Sequence, residues 1–183
     1  MRNVTFSMNI SIDGCCDHTF ARPDEEIYEY FTDYLKRADV VVYGRNSYEL
    51  MFPYWSEIAM AQSETDLENE FALILTAMNK VVFSHTLDSA EHNTRIIRDN
   101  LEDEILKLKR QSGKNISVGG VNLHAQVAAL GLIDEYFLVV HPVIVGEGKK
   151  LFEGVQFPGK TAFKLADSKV FKSGCIGLHY VKQ

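Results

Sequence analysis

Residues able to do chemistry gather at a few points of this 183-residue chain, and each point follows a run of apolar or alternating residues. One is Asn9-Ile10-Ser11-Ile12-Asp13-Gly14, continued by Cys15-Cys16-Asp17-His18. Asp13 sits at the end of a polar stripe, where a carboxylate can hold an exocyclic amine or help protonate a ring nitrogen. His18 is a second candidate proton carrier, because imidazole titrates near neutral pH. Plainer roles compete with both: a turn residue before Gly14, and a solvated loop histidine.

Two glycine turns suggest anion binding. Gly44-Arg45-Asn46-Ser47-Tyr48 follows Val40-Val41-Val42-Tyr43, and Gly119-Gly120-Val121-Asn122 follows the run 115–118. Glycine lets a phosphate approach the backbone, the helix that follows offers free N–H groups, and Arg45 adds a fixed cation. Ser47 is placed to cap the helix after the first turn. A third point, Ser84-His85-Thr86, follows Lys80-Val81-Val82-Phe83 and offers hydroxyls and an imidazole without a carboxylate. Together these fit a diphosphate-containing ligand, with a lean toward a 2′-phosphorylated dinucleotide; tight turns and a surface Ser-His-Thr are the competing readings. No G-x-G-x-x-G follows the first strand, so the common dinucleotide fingerprint is absent.

Other residues read more simply. Cys15 and Cys16 lack a demonstrable histidine partner and fit buried, inert thiols. Glu25 and Glu26 suit the first turn of a helix, where carboxylates meet the dipole. Tyr48, Tyr54 and Trp55 either wall a flat heterocycle or pack a core. His124 and His141 lie in apolar segments and fit core histidines. The six histidines show no metal-ligand spacing, so no metal is expected.

The elements that must position these residues follow from periodicity. Residues 4–12 alternate, with Val4, Phe6, Met8, Ile10 and Ile12 on one face and Thr5, Ser7, Asn9 and Ser11 on the other. Residues 24–37 take a helical period behind Pro23. Helical spacing recurs through Leu67, Phe71, Ile74 and Met78, then through Leu101, Ile105 and Leu108, and again through Leu123, Val127 and Leu130. Strands are expected at 40–43, 80–83, 94–97 and 115–118, then a long one over 136–145. A closing hairpin pairs 162–172 with 175–182. Alternating strands and helices imply an α/β class: three αβα layers, a mostly parallel central sheet, and antiparallel strands at the end. One domain over 1–183 is expected.

Composition narrows the function classes. Apolar residues make up 46% and charged ones 24%, ordinary for a globular core. Nineteen Lys and Arg against 25 Asp and Glu leave a charge of −6 with no basic run, which argues against nucleic acid. No stretch approaches the ~18 apolar residues of a membrane span, and the N-terminus alternates rather than forming a signal core. Three cysteines, two of them adjacent, suit a reducing cytoplasm.

At this point the motifs carry a resemblance. Val42-Tyr43-Gly44-Arg45-Asn46-Ser47-Tyr48-Glu49 resembles the Gly-Arg-x-[Thr/Ser]-aromatic turn of dihydrofolate reductases; Gly119-Gly120 resembles their second glycine turn and Ser84 their hydroxyl-bearing strand end. Ser11-Ile12-Asp13-Gly14, and the run from Pro142 to Gly148 with Leu151-Phe152, resemble the reductase domain of the bifunctional riboflavin-pathway deaminase–reductase. The resemblance implies a dihydrofolate-reductase-like fold and NADPH across the glycine turns. It further implies hydride transfer to a pterin or a riboflavin-pathway pyrimidine, 5-amino-6-(5-phosphoribosylamino)uracil being the type substrate, and commonly a homodimer. It also places the first strand inside the sheet. Asn9 through Asp13 would then border the cleft, with Asn9 beside the cofactor, while Thr5 and Ser7 pack at the closed end. On this reading the cofactor residues are Asn9, Gly44, Arg45, Asn46, Ser47, Ser84, His85, Gly119, Gly120, Val121 and Asn122. Cys15-Cys16 replace the Lys and apolar residue usual after Asp-Gly, the Val-Gly-x-Gly-Thr turn is missing, and so is the zinc-deaminase signature. A non-catalytic NADP(H)-binding or sensing module on the same fold is the rival reading.

Overall fold

Alternation in the first strand produces two chemically different faces on a strand with neighbours on both sides. The computed structural model describes residues 1–17, 19–90 and 93–183. In it β1 (Val4–Ser11) lies between β5 (Asn115–Gly119) and β6 (Glu135–His141), parallel to both. Val4, Phe6, Met8 and Ile10 join one core. The polar face is also covered, and buried hydroxyls satisfy each other there. Thr5 Oγ1 donates to the Tyr34 hydroxyl at 3.1 Å, and that hydroxyl lies 2.8 Å from Ser117 Oγ. Tyr34 belongs to α1 (Glu25–Lys36). A central strand thus carries polar residues at no cost in unpaired groups.

β-Branched runs build the rest of the sheet. β2 (Ala38–Gly44), β3 (Asn79–Phe83) and β4 (Thr94–Ile97) extend it in parallel, while β7 (Phe163–Val170) and β8 (Ile176–Lys182) close it antiparallel, in the order β4-β3-β2-β5-β1-β6-β8-β7. Alternate residues of β2 serve opposite faces. Val40 and Val42 meet Ile105 and Leu108 of α4 (Leu101–Arg110) and Leu123 and Val127 of α5 (Val121–Ala129). Val41 and Tyr43 meet Leu35 of α1, Phe52 and Trp55 of α2 (Arg45–Ala61), and Leu75 of α3 (Asp66–Ala77). The result is the expected three-layer αβα sandwich.

Several boundaries move for local reasons. Asp24 caps α1 by accepting from the Ile27 N–H at 3.0 Å, so Pro23 stands outside the helix. β6 stops at His141, because Pro142 has no N–H for the ladder. Residues 142–145 therefore leave the sheet instead of prolonging the strand. Ser47 is not the cap of α2: the helix starts at Arg45 with Gly44 as N-cap, and Ser47 lies in its first turn.

Candidate active site

The carboxyl ends of β2, β3, β4 and β5 open into one cleft of about 620 Å³. Its lining includes Gly44, Arg45, Asn46, Ser47, Ser84, His85, Val121 and Asn122, so eight of the eleven expected cofactor residues meet there. This follows the rule that open α/β sheets bind ligands beyond their strand ends. Helix termini explain why the cleft suits an anion. Away from it, α1 and α3 are capped by Asp24 and by the Thr65–Glu68 capping box. At the cleft, α2 and α5 start on Gly44 and Gly120, with no side-chain cap and no acidic residue in the first turn. Their first N–H groups are left to whatever occupies the cleft.

Cations stand around these termini. Arg45 is held by Glu49 (Nε to Oε1, 2.8 Å) and by Thr86 (Nη1 to Oγ1, 2.5 Å). Arg98 donates to the Ser84 carbonyl at 2.8 Å, and Lys149 donates to Asn122 Oδ1. Arg98 and Lys149 were not among the expected residues, although both line the cleft. Arg98 follows a parallel strand as Ser84 does, so reading what comes after 94–97 would have found it. The same segment contradicts a carboxylate-free ribose site: Asp99 lines the cleft, 3.8 Å from His85 Nε2.

Gly119 and Gly120 stand behind the lining rather than in it. A Cβ on Gly119 would run into the Tyr43 ring, and one on Gly120, at φ +84°, into Ser47. Their smallness serves the packing of one glycine turn on the other. Gly44, whose Cβ would meet only Leu123 at 3.8 Å, is the glycine that faces the cleft.

Beyond β1 a different arrangement forms. Asp13 accepts from Ser11 Oγ at 2.6 Å, Lys150 Nζ at 2.5 Å, and the N–H groups of Val145 and Gly146 at 3.1 and 3.0 Å. Lys150 and Ser11, then Val145, hold the carboxyl well below the usual carboxylate range. At neutral pH Asp13 is therefore an anion, able to accept from an amine but not to deliver a proton. Further bonds tie the two segments together, from Ile12 N–H to the Val143 carbonyl at 2.9 Å and from Cys16 N–H to the Lys149 carbonyl at 2.8 Å. Asn9 does not line this cleft, as it was expected to; its Oδ1 meets His141 Nε2 at 2.8 Å. His18 lies outside the described residues.

The plainer readings hold for several side chains. Cys15, Cys16 and Cys175 are free and buried, and burial pushes the Cys16 thiol up to about 11. Tyr48 and Trp55 pack in the core beside α3, not against the cleft. Glu26 accepts the Lys172 N–H at 2.9 Å and braces the β7–β8 turn. His124, stacked on Phe6 with centroids 3.6 Å apart, is held neutral by burial, its pKa down to about 3. Among the described residues no cluster of His, Cys, Asp or Glu could hold a metal.

These features define a dihydrofolate-reductase-like α/β protein. The RibD C-terminal domain model matches residues 2–176, and the chain belongs to that family. The Bacillus subtilis protein YyaP, itself uncharacterized, is 32% identical over 98% of this chain and 94% of its own. A putative riboflavin biosynthesis protein from Shewanella sp. PV-4 superposes with a TM-score of 0.75 at 18% identity, covering 100% of this chain and 99% of that one. A Thermotoga maritima diaminohydroxyphosphoribosylaminopyrimidine deaminase/5-amino-6-(5-phosphoribosylamino)uracil reductase superposes with a TM-score of 0.69 at 14% identity; all of this chain matches 57% of that one.

Proposed function

We propose that this chain is an NADPH-dependent reductase of a small nitrogen heterocycle, a pyrimidine or pterin in kind. The observation that carries it is the meeting of two uncapped helix N-termini with Arg45, Arg98 and Lys149 in one cleft. A diphosphate suits the free N–H groups and Lys149. A 2′-phosphate suits Arg45, Arg98 and the hydroxyls of Ser84 and Thr86. A dihydronicotinamide supplies hydride when bound. The chain's own contribution is to hold it by the phosphates and to keep the 142–150 loop closed over β1 through Asp13. Family membership supports the same substrate class, and three free, buried thiols suit a reducing cytoplasm.

Fluorescence titration with NADPH and NADH tests the cofactor. Micromolar NADPH binding is expected, weakened by roughly 1.5–3 kcal/mol in Arg98→Ala and in Arg45→Ala, the range for a charged hydrogen bond. No binding at tens of micromolar removes the reading, and equal affinity for NADH removes the 2′-phosphate site. One observation favours the rival binding module: Asp13 is committed to its loop as an anion. NADPH binding without oxidation against pterins, pyrimidines, flavins and quinones would support that rival.

A further inference from the structure

Two consecutive lysines of the 142–150 loop reach two different places. Lys149 lines the cleft, where its Nζ donates to Asn122 Oδ1 in the first turn of α5. Lys150 Nζ donates to Asp13 Oδ2 at 2.5 Å, beyond the carboxyl end of β1. The same carboxylate accepts the Val145 and Gly146 N–H groups, and neither Asp13 nor those two residues line the cleft.

A short antiparallel contact joins the two lysines to the segment after β1. Cys15 pairs with Lys150, the Cys16 N–H donates to the Lys149 carbonyl at 2.8 Å, and the Leu151 N–H donates to the Gly14 carbonyl at 3.2 Å. Cys15, Cys16 and Leu151 are all buried, so the contact is rooted in the core. Consecutive Cα atoms stand only about 3.8 Å apart. The loop therefore cannot lift away from Asp13 at Lys150 without drawing Lys149 from the cleft.

The consequence is a linkage. In this structure the Lys149 ammonium has a neutral amide oxygen as its acceptor. A diphosphate at the α5 N-terminus offers a charged acceptor in its place, and a bond between two charged groups is the stronger one. Opening the loop then costs that bond as well. The occupied protein must open less often than the empty one, by the factor that Lys149 adds to the affinity.

We infer that Lys149 is a positioning residue that transmits occupancy of the cleft to the Asp13 loop, so that an anion at the α5 N-terminus tightens the clamp on the segment after β1. That the anion belongs to a dinucleotide rests on the reductase reading; the linkage itself needs only the anion.

Amide hydrogen exchange on the whole protein tests it at the Val145 and Gly146 N–H groups. Rates are compared without ligand, with saturating inorganic pyrophosphate and with saturating NADPH. The ratio of free to bound rates is the readout, because a lysine with only a structural role changes both rates alike. A ratio of about ten or more is expected in the wild type, falling below about two in Lys149→Met and returning in Lys149→Arg, which keeps the charge. The Ile116 N–H, which donates to the Asn3 carbonyl at the far end of β1, reports general stabilisation. Equal slowing there overturns the linkage, as does a ratio near one in the wild type or an undiminished ratio in Lys149→Met. Slowing with pyrophosphate in a protein that does not bind NADPH keeps the linkage and removes the reductase reading. NADPH binding without slowing does the reverse, and a protein that binds neither probe loses both.

Discussion

Asp13 is surrounded by donors: the Lys150 ammonium, the Ser11 hydroxyl and two backbone N–H groups. Asp13→Asn keeps the shape but points an NH₂ at some of them. The expected result is a lower Tm, with amide exchange at Val145 and Gly146 faster by about tenfold or more. Unchanged exchange would show that the carboxylate does not hold the loop. The pH dependence has a definite sign. The folded pKa lies below the unfolded value of about 3.9, so the stabilisation is complete above that value. It is lost as pH falls below about 4 toward the folded pKa. Acid titration of Tm should be steeper for the wild type than for Asp13→Asn over that range, and identical curves would contradict it. Position and type marked Asp13 out in the sequence. Its partners were not legible, because Lys150 stands 137 residues away and only folding brings it near.

Among the elements, the two glycine turns look alike as sequence and differ in what they do. Gly120 has φ +84° and Ser47 against the place of a Cβ, whereas Gly44 is extended, and a Cβ there would make only ordinary contact with Leu123 at 3.8 Å. Gly120→Ala should therefore cost roughly 1–3 kcal/mol of stability in chemical denaturation. Gly44→Ala should leave stability within about 1 kcal/mol yet weaken NADPH binding, because its methyl would stand at the phosphate. The reverse pattern would exchange the two roles. Strand and helix positions were legible wherever periodicity was long, as in β1 and α1. Helix starts were less legible, because apolar spacing does not mark a cap: the Thr65–Glu68 capping box of α3 and the Asp24 cap of α1 emerge only in the structure. At α2 the cap is Gly44 backbone, which carries no side-chain signal, and Ser47 drew the assignment instead. Arg98 was missed for a different reason: β4 was expected at its observed bounds, but the residues after it were not read as those after β2, β3 and β5 were.

At the scale of the whole molecule, the sheet divides into a parallel side that ends in the cleft beyond β2–β5 and an antiparallel side of β6, β8 and β7. The run 136–145 is strongly apolar. Most of it is consumed internally, because Tyr136, Phe137 and Val139 are buried between β1 and β8. What stays exposed is a cluster at one end of the antiparallel side. Val170 pairs with Ile176, Ile176 with Val140, and Val143 and Ile144 follow directly after β6. Ile144 is 71% and Val170 76% exposed, and Ile176 and Val143 are also open. The paired Val170 and Ile176 at the edge of the sheet, with Val143 and Ile144 exposed in the segment that follows β6, offer apolar surface of the kind that proteins pair. We propose a homodimer through this end. The chain has a mass of 20.7 kDa, so light scattering at micromolar concentration should report about 41 kDa, that is twice one chain. Ile144→Glu combined with Ile176→Glu places two charges in the contact and should return the mass to that of one chain. Because both side chains are solvent-facing in the protomer, the protomer itself should keep its Tm within a few degrees. A wild type that scatters as a single chain removes the dimer. A double variant that unfolds instead of dissociating would show that these residues support the hairpin rather than a partner.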